Sequence, residues 1–164
     1  MAGGLIIFCG IPGTGKTTIA RLVAKTKPGS VHIQTDDIRA MIAKPTFSSE
    51  ESEFVYVSCV SVAKEALDLG YTVIMDATFG SARRREATLS PLADHYSRID
   101  YVHVVCDLET ALRRNAGRAS TAVVPEETVR SMLSTFEAPT PALTVDTSKF
   151  TAEEAAGLVV RALF

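Results

Sequence analysis

Short apolar runs alternate along the chain with longer segments in which apolar side chains recur at helical spacing. The runs predict β-strands, because short uninterrupted apolar segments are typical of strands buried on both faces. Strands are expected at 5–9, 31–34, 72–75, 101–106 and 143–145. Strands that alternate with helices are typical of βαβ units, so the pattern predicts an α/β fold with a parallel sheet covered by helices on both faces.

Helical patterns fill the segments between the strands. The clearest covers 48–69, where Ser48 and Glu51 predict a capping box and Gly70 predicts the end of the helix. Its apolar stripe is expected to comprise Val55, Cys59, Val62, Ala66 and Leu69. Further helices are predicted at 15–25, 108–115, 126–136 and 151–163.

The composition fits one globular domain over 1–164. The chain has 164 residues, 46% of them hydrophobic, and its formal net charge of −2 gives no general attraction to a nucleic acid. The run 5–9 is too short for a signal peptide or a membrane span, which predicts a cytoplasmic protein with no membrane segment. The cysteines form no C-x-x-C pair, and we expect buried free thiols at Cys9, Cys59 and Cys106.

A phosphate-binding motif follows the first strand. Gly10, Gly15, Lys16 and Thr17 fill the pattern G-x-x-x-x-G-K-[ST] between an apolar strand and a helix pattern. Glycines let successive backbone N–H groups turn toward one anion, and the start of the helix adds its positive dipole. Lys16 is expected to reach the β- and γ-phosphates of ATP, and the Thr17 hydroxyl to bind Mg²⁺. The other loop residues expected at the nucleotide are Ile11, Pro12, Gly13, Thr14 and Thr18.

The motif predicts a nucleoside triphosphate, and other features argue against a GTPase switch. Such a switch needs a D-x-x-G after a later strand and an N-K-x-D for guanine. Asp76 is followed three residues later by Phe79, and the sequence contains no N-K-x-D. The hypothesis is therefore an ATP-dependent kinase, with a regulatory ATPase that has no acceptor as an alternative.

Carboxylates follow the second and third strands, at the edge where parallel sheets bind ligands. Asp36 or Asp37 is expected to accept the proton of an attacking hydroxyl, and Arg39 to hold an acceptor anion. A helix N-cap is the alternative role for one of the two aspartates. Asp76 is expected to assist Mg²⁺ binding or to orient the acceptor, with a turn-forming aspartate as the alternative.

Two arginine clusters suggest further phosphate contacts. Arg114 and Arg118 would share a helical face if the helix continues that far, and we expect them to close over the γ-phosphate as part of a lid at 113–124. Arg83, Arg84 and Arg85 follow Ser81, a predicted N-cap, so three cations oppose the helix dipole. They predict either a solvated turn or a site for an acceptor phosphate. No chemistry is assigned to His32, His95 or His103.

These residues together resemble the 5′-kinase domain of polynucleotide kinases and a wider group of small P-loop kinases. That group includes seryl-tRNA kinases, gluconate-type sugar kinases and kinases that modify antibiotics. GIPGTGKTT resembles the phosphate loop of the group, TDDIR its D-D-x-R segment and MDAT its D-[TA]-[NT] element. RRNAGRAS followed by VPEETVRSM is similar to its lid and the next helix.

The resemblance implies a three-layer α/β/α P-loop NTPase fold, similar to nucleoside monophosphate kinases with a short lid, and the sheet order 2-3-1-4-5. It implies that Asp36 is the general base, that Arg39 contacts the acceptor and that Asp76 joins the site. It also implies that Arg114 and Arg118 contact the phosphates of ATP.

The acceptor is the least determined part of the hypothesis. The resemblance favours a 5′-hydroxyl of a polynucleotide or nucleotide, and a small-molecule hydroxyl is the alternative. The acidic residues Glu50, Glu51 and Glu53 would lie near the acceptor, where they disfavour a long polyanion. If the Arg83–Arg85 turn binds an anion, the acceptor carries a phosphate near its reactive hydroxyl.

Overall fold

Every predicted strand forms and joins one parallel sheet. The structure, a computed structural model, describes residues 3–119 and 123–164. Within these residues the strands are β1 (Gly3–Cys9), β2 (Ser30–Gln34), β3 (Thr72–Asp76), β4 (Tyr96–Val105) and β5 (Leu143–Asp146). They pair in parallel in the order 2-3-1-4-5, which confirms the expected topology.

Helices cover both faces of the sheet. They are α1 (Lys16–Thr26), α2 (Thr35–Arg39), α3 (Ser49–Asp68), α4 (Ala82–Leu89), α5 (Leu108–Ala116), α6 (Glu126–Ser134) and α7 (Ala152–Leu163). Side chains alternate across each strand, so Ile6 and Phe8 of β1 pack with α1 and α7, whereas Leu5 and Ile7 pack with α3 and α4. The three-layer α/β/α arrangement is therefore confirmed.

The start of α3 differs from the predicted capping box in one half. The Ser48 side chain accepts a hydrogen bond from the Glu51 backbone N–H at 3.1 Å, as a cap should. The Glu51 carboxylate, however, accepts from the backbone N–H groups of Thr46 and Phe47 and pairs with Arg39. Glu51 therefore connects α3 to α2 and to the preceding loop, because a cation within reach competes for its carboxylate.

The buried face of α3 is rotated from the predicted stripe. The predicted members Val62 and Leu69 are exposed, while Ala63 and Leu67 occupy the core together with Val55, Cys59 and Ala66. The observed set follows the spacing i, i+4, i+8, i+11, i+12, which keeps one face of a long helix toward the sheet.

No helix in the described part of the chain combines the length and apolar character that crossing a bilayer requires.

Strand β4 begins at Tyr96, five residues before the predicted start at Tyr101. The sequence did not predict the first half of this strand because it carries polar side chains. These include Arg98 and Asp100, which form an ion pair at 2.7 Å. This half still pairs with β1, from Gly3 onward, through backbone hydrogen bonds that do not depend on apolar side chains.

Two of the three cysteines are buried thiols, as expected. Burial raises the pKa of Cys9 and of Cys59 to about 11, so both are protonated and inert near neutral pH. Cys106 is only half-buried, which corrects the prediction for that residue.

Candidate active site

The phosphate loop between β1 and α1 is held from two sides. The Gly10 N–H donates to the Thr78 carbonyl at 3.2 Å, and the Thr147 hydroxyl donates to the Thr14 carbonyl at 2.8 Å. Gly15 is the N-cap of α1, and no side chain caps this helix. The first N–H groups of α1 and the positive end of its dipole are thus left for an anion such as a phosphate.

Lys16 is half-buried at the start of α1, and its ammonium donates to the Ile11 carbonyl at 3.3 Å. Burial lowers the pKa of Lys16, and the carboxylates of Asp76 and Asp36 oppose this lowering. The Arg118 guanidinium contributes to the lowering. Lys16, Asp36, Asp76 and Arg118 therefore lie close enough to interact at one edge of the sheet.

Asp76 ends β3 beside β1, and its side chain is 1% exposed. Within the described residues, neither carboxylate oxygen has a hydrogen-bond partner. A buried carboxylate without partners costs several kcal/mol, so its oxygens suit a cation or the water ligands of one. Thr17, in the first turn of α1, offers a half-buried hydroxyl. This donor set fits Mg²⁺, which prefers oxygen ligands and keeps several waters.

Asp36 and Asp37 point to different partners. The Asp36 carboxylate accepts a hydrogen bond from Arg118 at 2.7 Å, whereas Asp37 lies 3.6 Å from Arg21 on α1. Neither aspartate caps α2, because its N-cap is Gln34 and no side chain bonds there, so the capping alternative is wrong. Asp36 therefore faces the arginine of the predicted lid, and Asp37 faces away from it.

Arg114 and Arg118 do not share a helical face, because α5 ends at Ala116 before it reaches Arg118. Arg114 donates to the Thr147 hydroxyl at 2.8 Å and to its carbonyl at 3.2 Å, beside Gly15 of the phosphate loop. Arg118 extends instead to Asp36. The predicted lid at 113–124 includes residues 120–122, which lie outside the described residues.

The buried amide of Asn115 closes the base of the predicted lid. Its Nδ2 donates to the Val124 carbonyl at 2.7 Å, and its Oδ1 accepts from the Val124 N–H at 3.2 Å. The end of α5 and the chain before α6 are thereby joined through one side chain.

Arg39 is already engaged on the acceptor side. Its guanidinium pairs with Glu51, donates to Ser52 at 3.3 Å and lies 4.8 Å from the centroid of the Phe47 ring. The pKa of Glu51 is lowered, against the effect of burial, by the hydrogen bonds that its carboxylate accepts. The largest contribution comes from the Thr46 backbone N–H, and the Thr46 hydroxyl, Arg39 and the Phe47 N–H add to it. Arg39 must leave a carboxylate before it can bind an acceptor anion.

The three arginines of the α4 turn are not equivalent. Arg85 is buried and donates to the carbonyls of Phe79 and Glu137 at 2.7 and 2.6 Å. Arg84 lies 3.3 Å from Glu53 and over the Tyr56 ring, and Arg83 is exposed. Ser81 caps the helix, as predicted. The Glu137 carboxylate accepts from the Ala82 N–H at 2.6 Å, which offsets part of the unfavourable dipole interaction.

Several residues of the site carried no local signal in the sequence. Thr147 bridges Arg114 and the phosphate loop from beyond β5, Asn115 holds the base of the predicted lid, and His32 lies beside Asp76. Thr147 and His32 act through contacts with distant segments, and Asn115 acts through Val124, nine residues later. For His32, its place two residues before the end of a predicted strand could have indicated the ligand-binding edge.

Gly13→Ala should disrupt the loop far more than a glycine substitution elsewhere. Gly13 has φ +85°, and a Cβ there would lie 2.0 Å from the Ala111 carbonyl oxygen, whereas Gly29 has φ +77° and open space around its Cβ position. Gly29→Ala is expected to cost about 1–2 kcal/mol through backbone strain alone. Gly13→Ala adds a steric overlap that should lower the free energy of unfolding by about 1–3 kcal/mol more. Chemical denaturation of the two variants measures this difference in stability. Equal losses in the two variants would contradict the close packing of α5 on the loop.

The sequence is similar to a known protein family and to individual known proteins. A protein-family model described as "AAA domain" matches residues 5–139. A shikimate kinase of Salinispora tropica is 34% identical over 133 residues, which cover 77% of this chain and 76% of that protein. An uncharacterised protein of Mycobacterium tuberculosis is 32% identical over 108 residues, 58% of this chain, and the match spans only 22% of that protein's length.

Solved structures share the fold. A sugar kinase from Janibacter sp. HTCC2649 has a TM-score of 0.73 at 19% identity, over 98% of this chain and 94% of that one. A chain of an RNA repair complex has a TM-score of 0.72 at 23% identity, over 82% of this chain and 44% of that one. With the family model over most of the chain and the sheet order of a P-loop NTPase, the chain belongs to the AAA domain family and is a P-loop kinase domain.

Proposed function

We propose that this domain transfers the γ-phosphoryl group of ATP to a hydroxyl of a small acceptor that carries no phosphate. The observation that carries the proposal is the convergence of Lys16, Asp36, Asp76 and Arg118 beside the phosphate loop. A base, a carboxylate for a metal and two cations in one place are what phosphoryl transfer requires.

On the donor side, the loop amides and the start of α1 bind the phosphates of ATP, and Lys16 stabilises the charge that develops on the γ-phosphoryl oxygens. Lys16 now donates to a carbonyl of its own loop, so its ammonium can exchange that bond for a phosphate oxygen. Arg114, held by Thr147 beside Gly15, adds a second cation at the loop.

The Thr17 hydroxyl and the buried Asp76 carboxylate would hold magnesium, which would supply positive charge to offset the charge on the phosphates of ATP. Asp76 supports this role because its oxygens lack partners among the described residues.

On the acceptor side, Asp36 takes the proton of the attacking hydroxyl. In the structure its carboxylate is paired with Arg118. When ATP binds, Arg118 exchanges Asp36 for the γ-phosphoryl oxygens, and this exchange leaves the carboxylate available for the hydroxyl proton. The pair thus links the arrival of ATP to activation of the acceptor.

The charges around Asp36 favour an acceptor without a phosphate. Arg39 is neutralised by Glu51, Arg84 is paired with Glu53, and Arg85 is satisfied by two carbonyls. An acceptor phosphate would have to compete with the carboxylates that pair with Arg39 and Arg84. A small sugar, polyol or similar hydroxyl compound faces no such competition, and the similarity to a sugar kinase and a shikimate kinase supports small acceptors.

A polynucleotide or nucleotide 5′-hydroxyl is the second candidate. It is favoured by the exposed Arg83, by the partly exposed Arg84 and by similarity to a chain of an RNA repair complex. On this candidate the α4 turn would bind a phosphate of the acceptor.

A screen with labelled ATP is expected to show transfer to small hydroxyl compounds without a phosphate in preference to 5′-hydroxyl oligonucleotides or 3′-phosphorylated nucleotides. With the best acceptor, replacement of both Arg83 and Arg84 by serine should change the acceptor KM by less than about threefold, because neither arginine contacts it. The KM for ATP serves as the internal control, since the α4 turn is not part of the phosphate loop.

Other outcomes of the screen would each point elsewhere. Preferred transfer to oligonucleotides, with an acceptor KM raised about tenfold or more in the double variant, would establish the second candidate. A steady ATPase rate that no hydroxyl compound changes would reject both and indicate a nucleotide-dependent switch.

A further inference from the structure

A buried histidine lies behind the proposed magnesium site. His32 is on β2, two residues before Gln34, which is directly opposite Asp76 in the parallel register of β2 and β3. Alternate residues of a strand share a face, so His32, Gln34 and Asp76 all face α1. The His32 side chain is 12% exposed, and its Nε2 lies 3.7 Å from Oδ2 of Asp76.

The two groups are complementary, and neither has a hydrogen-bond partner among residues 3–119 and 123–164. Within the described residues, Nε2 of His32 and both oxygens of Asp76 are buried without a hydrogen bond. Buried polar groups are almost always paired in folded proteins, so unsatisfied atoms on two adjacent side chains indicate a contact that a ligand completes. The separation of 3.7 Å exceeds a hydrogen bond by less than 1 Å, which a small rotation of either side chain can close.

Other side chains near Asp76 are oriented elsewhere. The Gln34 amide oxygen accepts from Arg21 at 2.9 Å, and the Lys16 ammonium donates to the Ile11 carbonyl. Among basic side chains in residues 3–119 and 123–164, only His32 has a nitrogen within 4.0 Å of the Asp76 carboxylate. If His32 donates a hydrogen bond to Oδ2 of Asp76, the Oδ1 atom remains available on the side of the phosphate loop.

We propose that His32 is a positioning residue for the metal site: its Nε2–H donates to Oδ2 of Asp76 and fixes the rotamer that leaves Oδ1 available to magnesium. The inference rests on the proposed function only through the metal site that Asp76 and Thr17 would form. An imidazole with its proton on Nε2 can donate this hydrogen bond. Residues that orient a metal-binding carboxylate in this way typically change metal affinity by about 10–100-fold when they are replaced.

The test measures metal binding rather than turnover. Mn²⁺ is titrated into the protein with saturating ADP and followed by electron paramagnetic resonance, and ADP affinity is measured by calorimetry with and without Mn²⁺. His32→Leu removes the donor, and His32→Gln keeps a donor near the position of Nε2. His95→Leu is the matched control, because His95 pairs with Asp68 at 2.6 Å in a solvent-exposed histidine–carboxylate contact.

His32→Leu is expected to weaken Mn²⁺ binding about tenfold or more, with metal-free ADP affinity unchanged within about twofold. His32→Gln should restore most of the Mn²⁺ affinity, and His95→Leu should match the wild type. Wild-type Mn²⁺ affinity in His32→Leu would overturn the proposal. If His32→Leu does not fold, His32→Gln is compared with His32→Asn, whose shorter amide cannot reach Asp76, and equal affinities of these two would also overturn it.

The result is separable from failure of the proposed function. If no acceptor is phosphorylated but Mn²⁺ binding depends on Thr17, Asp76 and His32, the kinase assignment fails and the positioning role stands. If Thr17→Ala and Asp76→Asn leave Mn²⁺ binding unchanged, the metal does not bind there and the role of His32 is rejected with it.

Discussion

Lys16→Ala is expected to reduce phosphoryl transfer by at least about 10³-fold, because a cation that meets the γ-phosphoryl charge is lost from a partly buried site. Burial already lowers the pKa of Lys16, against the opposing carboxylates of Asp76 and Asp36. The charged Lys16 ammonium is therefore destabilised by its burial, and the negative phosphates of ATP would offset this destabilisation. Single-turnover transfer of labelled phosphate measures the loss.

The control for this variant lies on the same helix. Lys25 is exposed in the last turn of α1, so Lys25→Ala removes an equal charge without touching the loop. It should keep turnover within about twofold of the wild type. Thermal unfolding of both variants separates a folding defect from a catalytic one. Turnover within tenfold of the wild type in a folded Lys16→Ala variant would exclude the proposed role.

The phosphate loop was predictable from sequence because its parts are neighbours in the chain. The conformation of the loop is determined by a strand, three glycines, a lysine and a helix start that lie within about fifteen residues. Tertiary contacts only stabilise this conformation. The same holds for the Ser81 cap of α4 and for the core strands. The order 2-3-1-4-5 came from the family resemblance, since strand pairing between distant segments leaves no local trace.

The charge partners of the site were not predictable in this way. Arg118 and Asp36 are 82 residues apart, and Arg39 pairs with Glu51 only because α2 folds against the start of α3. Their residue type suggests that these arginines bind phosphate. Whether a carboxylate already neutralises them depends on tertiary packing, which the sequence does not show. The observed pairs with Glu51 and Glu53 are the reason that we propose an acceptor without a phosphate rather than a polynucleotide or nucleotide 5′-hydroxyl.

The second large effect is expected for Asp36→Asn, which should reduce kcat by about 10²–10⁴-fold and leave ATP binding within about twofold of the wild type. The asparagine carbonyl still accepts a hydrogen bond from Arg118, so the geometry of the pair survives while the ability to take a proton is lost. ATP binding depends on the loop and Lys16, which the substitution does not alter. Acceptor phosphorylation and ATP-analogue affinity, measured on the same preparation, separate the two effects.

Asp37→Asn is the matched control, because it makes the same chemical change one residue further on. Asp37 faces Arg21 at 3.6 Å in an exposed ion pair, which contributes little to binding or stability. Its kcat should stay within about twofold of the wild type. If Asp37→Asn loses transfer and Asp36→Asn does not, the base is the other aspartate, and the Arg118 contact marks a resting ion pair without a catalytic role. If both variants transfer phosphate at the wild-type rate, neither aspartate is the base, and the acceptor hydroxyl reacts without proton transfer to this segment.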